Sequence, residues 1–175
     1  MSGLERVSNA SGGVRGVGVD IVDLGAFAAS LAEPGTRFSG AFSPTERRQC
    51  RERAEARGAR AGTAVSSSSR RGSETAPHED PVARHLAGRW AVKEAVVKAW
   101  SVALYGSPPP ISPELLRWSE IETVCDAWGR PSVRLSGEVA RQAAATLGEG
   151  VRWSVSLSHD GGSAIAFVVV DGPGA

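Results

Sequence analysis

The sequence is almost without lysine. Of its 20 basic residues only Lys93 and Lys98 are lysines, and the other 18 are arginines. Cysteine is equally scarce. Cys50 and Cys125 lie far apart and match neither a metal-cluster nor a redox spacing, which leaves two reduced thiols rather than a disulfide framework. Long hydrophobic runs are missing too. The longest, Ala164 to Val170, is far too short to cross a bilayer, and the polar stretch Met1 to Gly13 has no signal-peptide core. A soluble, cytoplasmic protein with no membrane partner is expected. The formal net charge of +1 argues neither for nor against an acidic partner, since local distribution matters more than the total, and no nucleic-acid partner is expected.

A length of 175 residues favours one domain, placed at 14–171 behind a disordered tail at 1–13. Val14 to Asp23 alternates as a strand, with Val17, Val19 and Ile21 on one face and Gly18, Asp20 and Val22 on the other. Asp20 is therefore a carboxylate inside an otherwise apolar strand, costly to bury unless a cation or donors meet it. Leu24 to Ala32 reads as a short helix, and Ser43-Pro44-Thr45-Glu46 as the start of another. That second helix runs into an arginine- and serine-rich stretch at about 52–81, expected to fray into a flexible insertion. Arg47 to Arg71 holds eight arginines against two glutamates, a local net charge of +6.

Val82 to Ala103 carries the strongest helical signal, with Leu86, Trp90 and Val97 as its apolar stripe. Both lysines fall inside it. Two lysines placed at random would lie this close only about one time in twenty, and an ammonium does not substitute for a guanidinium. Glu94 sits on or beside the stripe, and Lys98 follows one turn later in the favourable order for an ion pair. Strands are expected at 120–125 and 132–135 around Trp128-Gly129-Arg130-Pro131. A helix follows at 137–147, then a half-buried strand from Val151 and a central strand at 163–170. The class is α+β, one long helix across a mostly antiparallel sheet.

Three segments together resemble the holo-acyl-carrier-protein synthases, the short type of 4'-phosphopantetheinyl transferase. They are Gly16-Val17-Gly18-Val19-Asp20-Ile21-Val22-Asp23, the run Arg89-Trp90-Ala91-Val92-Lys93-Glu94-Ala95 continuing to Lys98-Ala99-Trp100, and Val155-Ser156-Leu157-Ser158-His159. The Gly-x-Gly alone says little, since no third glycine follows. The resemblance implies the phosphopantetheinyl transferase fold and transfer of the 4'-phosphopantetheine group from coenzyme A to a carrier-protein serine. It implies Asp20 and Glu94 as ligands of a catalytic Mg²⁺ and Lys98 as a phosphate contact. Coenzyme A would be held by Arg89, Lys98, Ser158 and His159. Two carboxylates plus phosphate oxygens and waters are what Mg²⁺ prefers. The serine proton is left to a metal-bound water or to a carboxylate directly.

The resemblance also implies a homotrimer with active sites between subunits, and an acidic acyl carrier protein as partner. An arginine common in the family after the first motif is missing from Asp23-Leu24-Gly25-Ala26-Phe27. Carrier docking is therefore assigned to Arg37, Arg47 and Arg48. Two rival readings are a non-catalytic module binding coenzyme A or a carrier protein, and an unrelated α+β domain whose Glu94–Lys98 pair is a surface salt bridge.

Overall fold

The computed structural model describes residues 12–64 and 80–172, with the side chains of 60–64 excepted. Strand β1 (Gly13–Asp23) leads directly into helix α1 (Leu24–Ala32), because the Asp23 carboxylate accepts the Ala26 N–H at 2.7 Å and caps the helix. The second aspartate of the first motif is thus a structural cap. Helix α2 (Pro44–Ala64) starts on a reciprocal capping box. The Ser43 hydroxyl accepts the Glu46 N–H at 3.1 Å, and the Glu46 carboxylate accepts the Ser43 N–H at 2.9 Å. The helix expected to continue from Pro44 runs to Ala64, and the loop expected beyond it falls outside the described residues.

Helix α3 (Pro81–Ala103) is capped by Asp80 and begins with proline. It is followed by the hairpin β2 (Ile121–Cys125) and β3 (Pro131–Leu135), helix α4 (Gly137–Leu147), and strands β4 (Arg152–Asp160) and β5 (Ser163–Gly172). β5 is the central strand of an antiparallel sheet ordered β1-β5-β4, and β2 and β3 pair only with each other. Both sheets are antiparallel, in keeping with the α+β expectation.

The sequence pattern marks one stripe on α3, but the helix is buried nearly all round. Ala87, Ala91, Val92, Ala95, Val96, Ala99 and Trp100 are fully buried, whereas Trp90 and Val97 of the expected stripe are half-buried. The three-stranded sheet covers one side of α3, and α2 with the β2–β3 hairpin covers another. That double cover explains the excess of alanine and valine, whose small side chains let neighbours approach on every side.

Strand β1 alternates as expected, and its glycine face is the one turned to the helix. A Cβ on Gly16 would overlap the carbonyl of Ala99, and one on Gly18 the carbonyl of Ala95. The two glycines therefore let β1 touch α3 backbone to backbone. Gly88 instead makes room for side chains under β4, where a Cβ would stand 2.9 Å from Leu157 Cδ1 and 3.0 Å from His159 Nε2. The larger side chains of β1 face outward. Val17, Val19 and Ile21 are exposed, beside Ile165 and Phe167 of β5, which pair with Ile21 and Val19.

Candidate functional site

The glycine seam sets the position of Asp20. Two residues beyond Gly18 on the same face of β1, it arrives at α3 where Glu94 and Lys98 project. Asp20 is only 8% exposed, and its carboxylate accepts a 2.7 Å hydrogen bond from Lys98 Nζ. Lys98 thus closes on the strand carboxylate, rather than forming the i,i+4 pair with Glu94 that spacing alone suggests. Glu94 is half-buried, and its carboxyl is pushed above the usual carboxylate range. Burial is the largest cause, followed by the negative charge of Asp20; Lys98 opposes both, and a hydrogen bond with Asp20 adds to the rise. The Lys98 ammonium is held above its ordinary range, chiefly by its hydrogen bond to Asp20.

Two carboxylates sharing one site repel, and the single lysine that joins them is half exposed. The donor set therefore has room and charge for a divalent cation. A pair of carboxylates with space for phosphate oxygens and water suits Mg²⁺. Among the described residues no cluster of three acidic, histidine or cysteine ligands occurs, so any metal would have to complete its shell from solvent and substrate. Beside the pair runs a trough of about 270 Å³, walled by Phe27, Phe38 and Trp90 and floored by Asp20 and Glu94. Phe38 and Trp90 meet edge to face, with ring centroids 4.7 Å apart, and stiffen that wall.

Arg89 and His159 come together in a second place. Both line a cavity of about 160 Å³ with Arg53, His85 and Cys125. Arg89 is 2% exposed, donates from Nη2 to Cys125 Sγ at 3.2 Å, and leaves its Nε without a partner. His85 Nε2 is likewise unpartnered, and burial with the nearby Arg89 charge lowers its pKa to about 4. His159 is also lowered, first by burial, and its Nε2 lies 3.0 Å from the Arg84 carbonyl oxygen. A larger cavity of about 530 Å³ shares Arg53, His85 and Gly129 with the first and adds Arg57 and the exposed Trp128. Arg53 and Arg89 bring two guanidinium groups to one void, a setting that suits an anion. Along α3 Arg89 and Glu94 are five residues apart, an axial rise of about 7.5 Å.

The remaining expected residues are scattered. Ser158 is exposed on the opposite face of β4 from His159 and does not line the arginine cavity. Arg37 is exposed before the 3-10 turn Phe38–Ala41. Arg47 donates to the carbonyls of Ser39 and Phe42 at 3.1 and 3.0 Å, so it braces that turn. Arg48 pairs with Glu52 across an exposed helical turn. Sequence reasoning missed Arg53, Arg57, His85 and Trp128. Arg53 and Arg57 are one helical turn apart, an i,i+4 signal that the surrounding run of arginines conceals.

Lys93 sits in neither cavity. Fully buried, its Nζ donates to Glu46 Oε2 and to the Trp118 carbonyl, both at 2.9 Å, and to the Ile121 carbonyl. Glu46 also accepts the Thr123 N–H at 2.9 Å, so this pair ties α3 to α2 and β2. Burial lowers the Lys93 ammonium below its ordinary range, and the charge and hydrogen bond of Glu46 oppose that.

Comparison with known proteins gives a consistent picture. A family profile described as the 4'-phosphopantetheinyl transferase superfamily matches residues 16–168. The holo-[acyl-carrier-protein] synthase of Corynebacterium glutamicum is 40% identical over 154 residues, covering 88% of this chain and 96% of that protein. The corresponding synthase of Mycobacterium ulcerans is 38% identical over 159 residues, covering 91% and 98%. Among solved structures, a Chronobacterium ammoniagenes ACPS–CoA complex superposes with a TM-score of 0.71 at 40% identity, over 88% of this chain and 94% of that one. The acyl carrier protein synthase of Mycobacterium tuberculosis gives 0.60 at 33% identity, over 92% and 100%. The chain belongs to the 4'-phosphopantetheinyl transferase superfamily, in its holo-[acyl-carrier-protein] synthase branch.

Proposed function

We propose that this chain transfers the 4'-phosphopantetheine group of coenzyme A to a serine of an apo acyl carrier protein and releases adenosine 3',5'-bisphosphate. The observation that carries the reading is the meeting of Asp20, Glu94 and Lys98 beside an open trough. Relatives bear the synthase name, and one similar structure is titled a complex with CoA. Asp20 and Glu94 are suited to hold Mg²⁺, which when bound neutralises charge on the diphosphate. Lys98 keeps an ammonium at the same place. It orients the diphosphate and stabilises the leaving bisphosphate as the serine oxygen attacks the phosphorus next to the pantetheine arm. The bond from that phosphorus to the bridging oxygen breaks, and the serine proton passes to Asp20 or Glu94, directly or through water.

The nucleotide end of coenzyme A is assigned to the two adjoining arginine-lined cavities, with its 3'-phosphate toward Arg89, His159 and Arg53. The pantetheine arm and the carrier serine then approach along the trough of Phe27, Phe38 and Trp90.

The apolar face formed by Val17, Val19, Ile21, Ile165 and Phe167 supports assembly into a homotrimer, because one face of the central sheet is otherwise left to water. Ser158 lies on that open side and would join a site shared with a neighbouring subunit. No helix among the described residues is long and apolar enough to cross a membrane. Incubating the protein with coenzyme A, Mg²⁺ and an apo carrier, then weighing the carrier, tests the reading. A carrier of unchanged mass, or one equally modified after Mg²⁺ is chelated, overturns it.

A further inference from the structure

The two cysteines have opposite surroundings. Cys50 is fully buried among Leu24, Phe27, Phe42, Leu86 and Ala87, and its thiol is pushed up to about 11, chiefly by burial. Such a thiol is inert at neutral pH. Cys125 ends β2, is partly exposed, and lines the 160 Å³ cavity. Its backbone is fixed from both sides by Gln49, which donates to the Cys125 carbonyl at 3.2 Å and accepts its N–H at 3.1 Å. Its sulfur accepts a hydrogen bond from Arg89 at 3.2 Å. An independent feature of the same cavity points to a negatively charged ligand. Arg89 is 2% exposed yet keeps an unused Nε–H, and Arg53 and the unpartnered His85 share the walls. No carboxylate lines this void among the described residues.

We infer that Cys125 is a covalent modification site for small anionic thiol reagents, above all anionic disulfides, and that its modification closes the arginine cavity. The guanidinium of Arg89 draws the reagent's negative group into the void and leaves its electrophilic sulfur beside Cys125. The Cys125 sulfur attacks one sulfur of the disulfide and its proton goes to solvent. A mixed disulfide forms at Cys125, and the other half of the reagent leaves as a thiolate. The attached anion then occupies the donors that a phosphate would use. The inhibitory consequence rests on the placement of the coenzyme A nucleotide in this cavity; the reactivity of Cys125 does not.

Competitive labelling of the full-length protein with iodoacetate and iodoacetamide, read at each cysteine by peptide mass spectrometry, tests both parts separately. Expected is a preference for the charged reagent at Cys125 about tenfold above that of a short cysteine peptide, with Cys50 unlabelled on the same timescale. Arg89→Gln should return the preference at Cys125 to the peptide value. A Cys125 that shows the peptide's preference in the unaltered protein, or that labels no faster than Cys50, overturns the proposal. Adenosine 3',5'-bisphosphate should slow labelling about tenfold when near saturation. If the anionic preference holds and the bisphosphate gives no protection, the modification site stands, and the nucleotide placement and the inhibitory consequence fall.

Discussion

The two lysines of this arginine-dominated chain stand five residues apart on one helix, and their surroundings share almost nothing. Lys93 and Glu46 are both wholly buried, and every donor and acceptor between them is used to hold α3, α2 and β2 together. Lys98 is half exposed, and its partner Asp20 lies beside a second carboxylate with no further counter-charge among the described residues. One pair is finished and the other is left incomplete. The difference teaches that an ion pair serves structure when its polar atoms are satisfied, and remains available for chemistry when they are not.

The sharpest break of that comparison is to remove each lysine. Lys93→Met leaves Glu46 charged and buried, and should cost about 3–5 kcal/mol of unfolding free energy in urea titration. The double change Lys93→Met with Glu46→Gln should recover part of that loss. Lys98→Met should cost less than Lys93→Met, because Lys98 is half in water, although it leaves Asp20 without its donor. Equal stability losses for the two lysines would erase the distinction.

The second test sets activity against stability at the open pair. Asp20→Ala and Glu94→Gln should each lower kcat/KM by about two to three orders of magnitude, measured by carrier mass gain. For Glu94 the sign is opposite on folding. Its folded carboxyl is raised above the unfolded value, so the protonated form's advantage is present at low pH and is lost as pH rises through the folded pKa. Glu94→Gln should therefore raise the Tm of metal-free protein at neutral pH. A variant that lost both activity and stability would make Glu94 structural. Lys98→Arg sharpens the picture further. Its wider guanidinium should misplace charge against the diphosphate and lower kcat/KM about tenfold, with the Tm almost unchanged.

A smaller effect comes from the arginine cavity. His85 has a folded pKa of about 4 against 6.5, so the unfolded chain takes up a proton first as pH falls. Stability present above pH 6.5 should decline between about 6.5 and 4, and His85→Gln should flatten that part of the pH–Tm curve. An unchanged slope would show that His85 is not held neutral.

The smallest expected effect concerns carrier attraction. The +6 run divides in the structure, where Arg53 and Arg57 line the cavities and Arg48 and Arg51 face solvent. Replacing Arg48 and Arg51 with serine should lower kcat/KM for the carrier about two- to threefold at low salt, with the difference closing at high salt and KM for coenzyme A unmoved. No change at low salt would leave attraction to Arg37 and other surfaces.

Much of this was legible in the residues. The end of α1 follows from the Pro34-Gly35 break, the start of α2 from the Ser43 N-cap and α4 from its alanine-rich composition, and β5 is central because it is apolar almost throughout. Asp20 stood out as a carboxylate in an apolar strand. The role of Lys93 was not legible, because its partner lies 47 positions away and nothing local distinguishes a buried ammonium from a solvated one. The arginine cavity was hidden for the same reason. It is assembled from α2, α3, β4 and the hairpin, and long-range packing leaves no periodic mark on any one of them.

The seam of Gly16 and Gly18 has a consequence for how this protein can change. Where β1 meets α3, their spacing is set by main-chain atoms in contact, not by the volume of any side chain. Drift among the valines and alanines elsewhere in the core can then raise or lower robustness while the gap between Asp20 and Glu94 stays constant. The spacing of the two carboxylates and the rest of the interior are separate inheritances, free to diverge at different speeds. A lineage could exchange most of its packing residues and still hand on the same gauge, provided those hydrogens are never replaced by methyl groups.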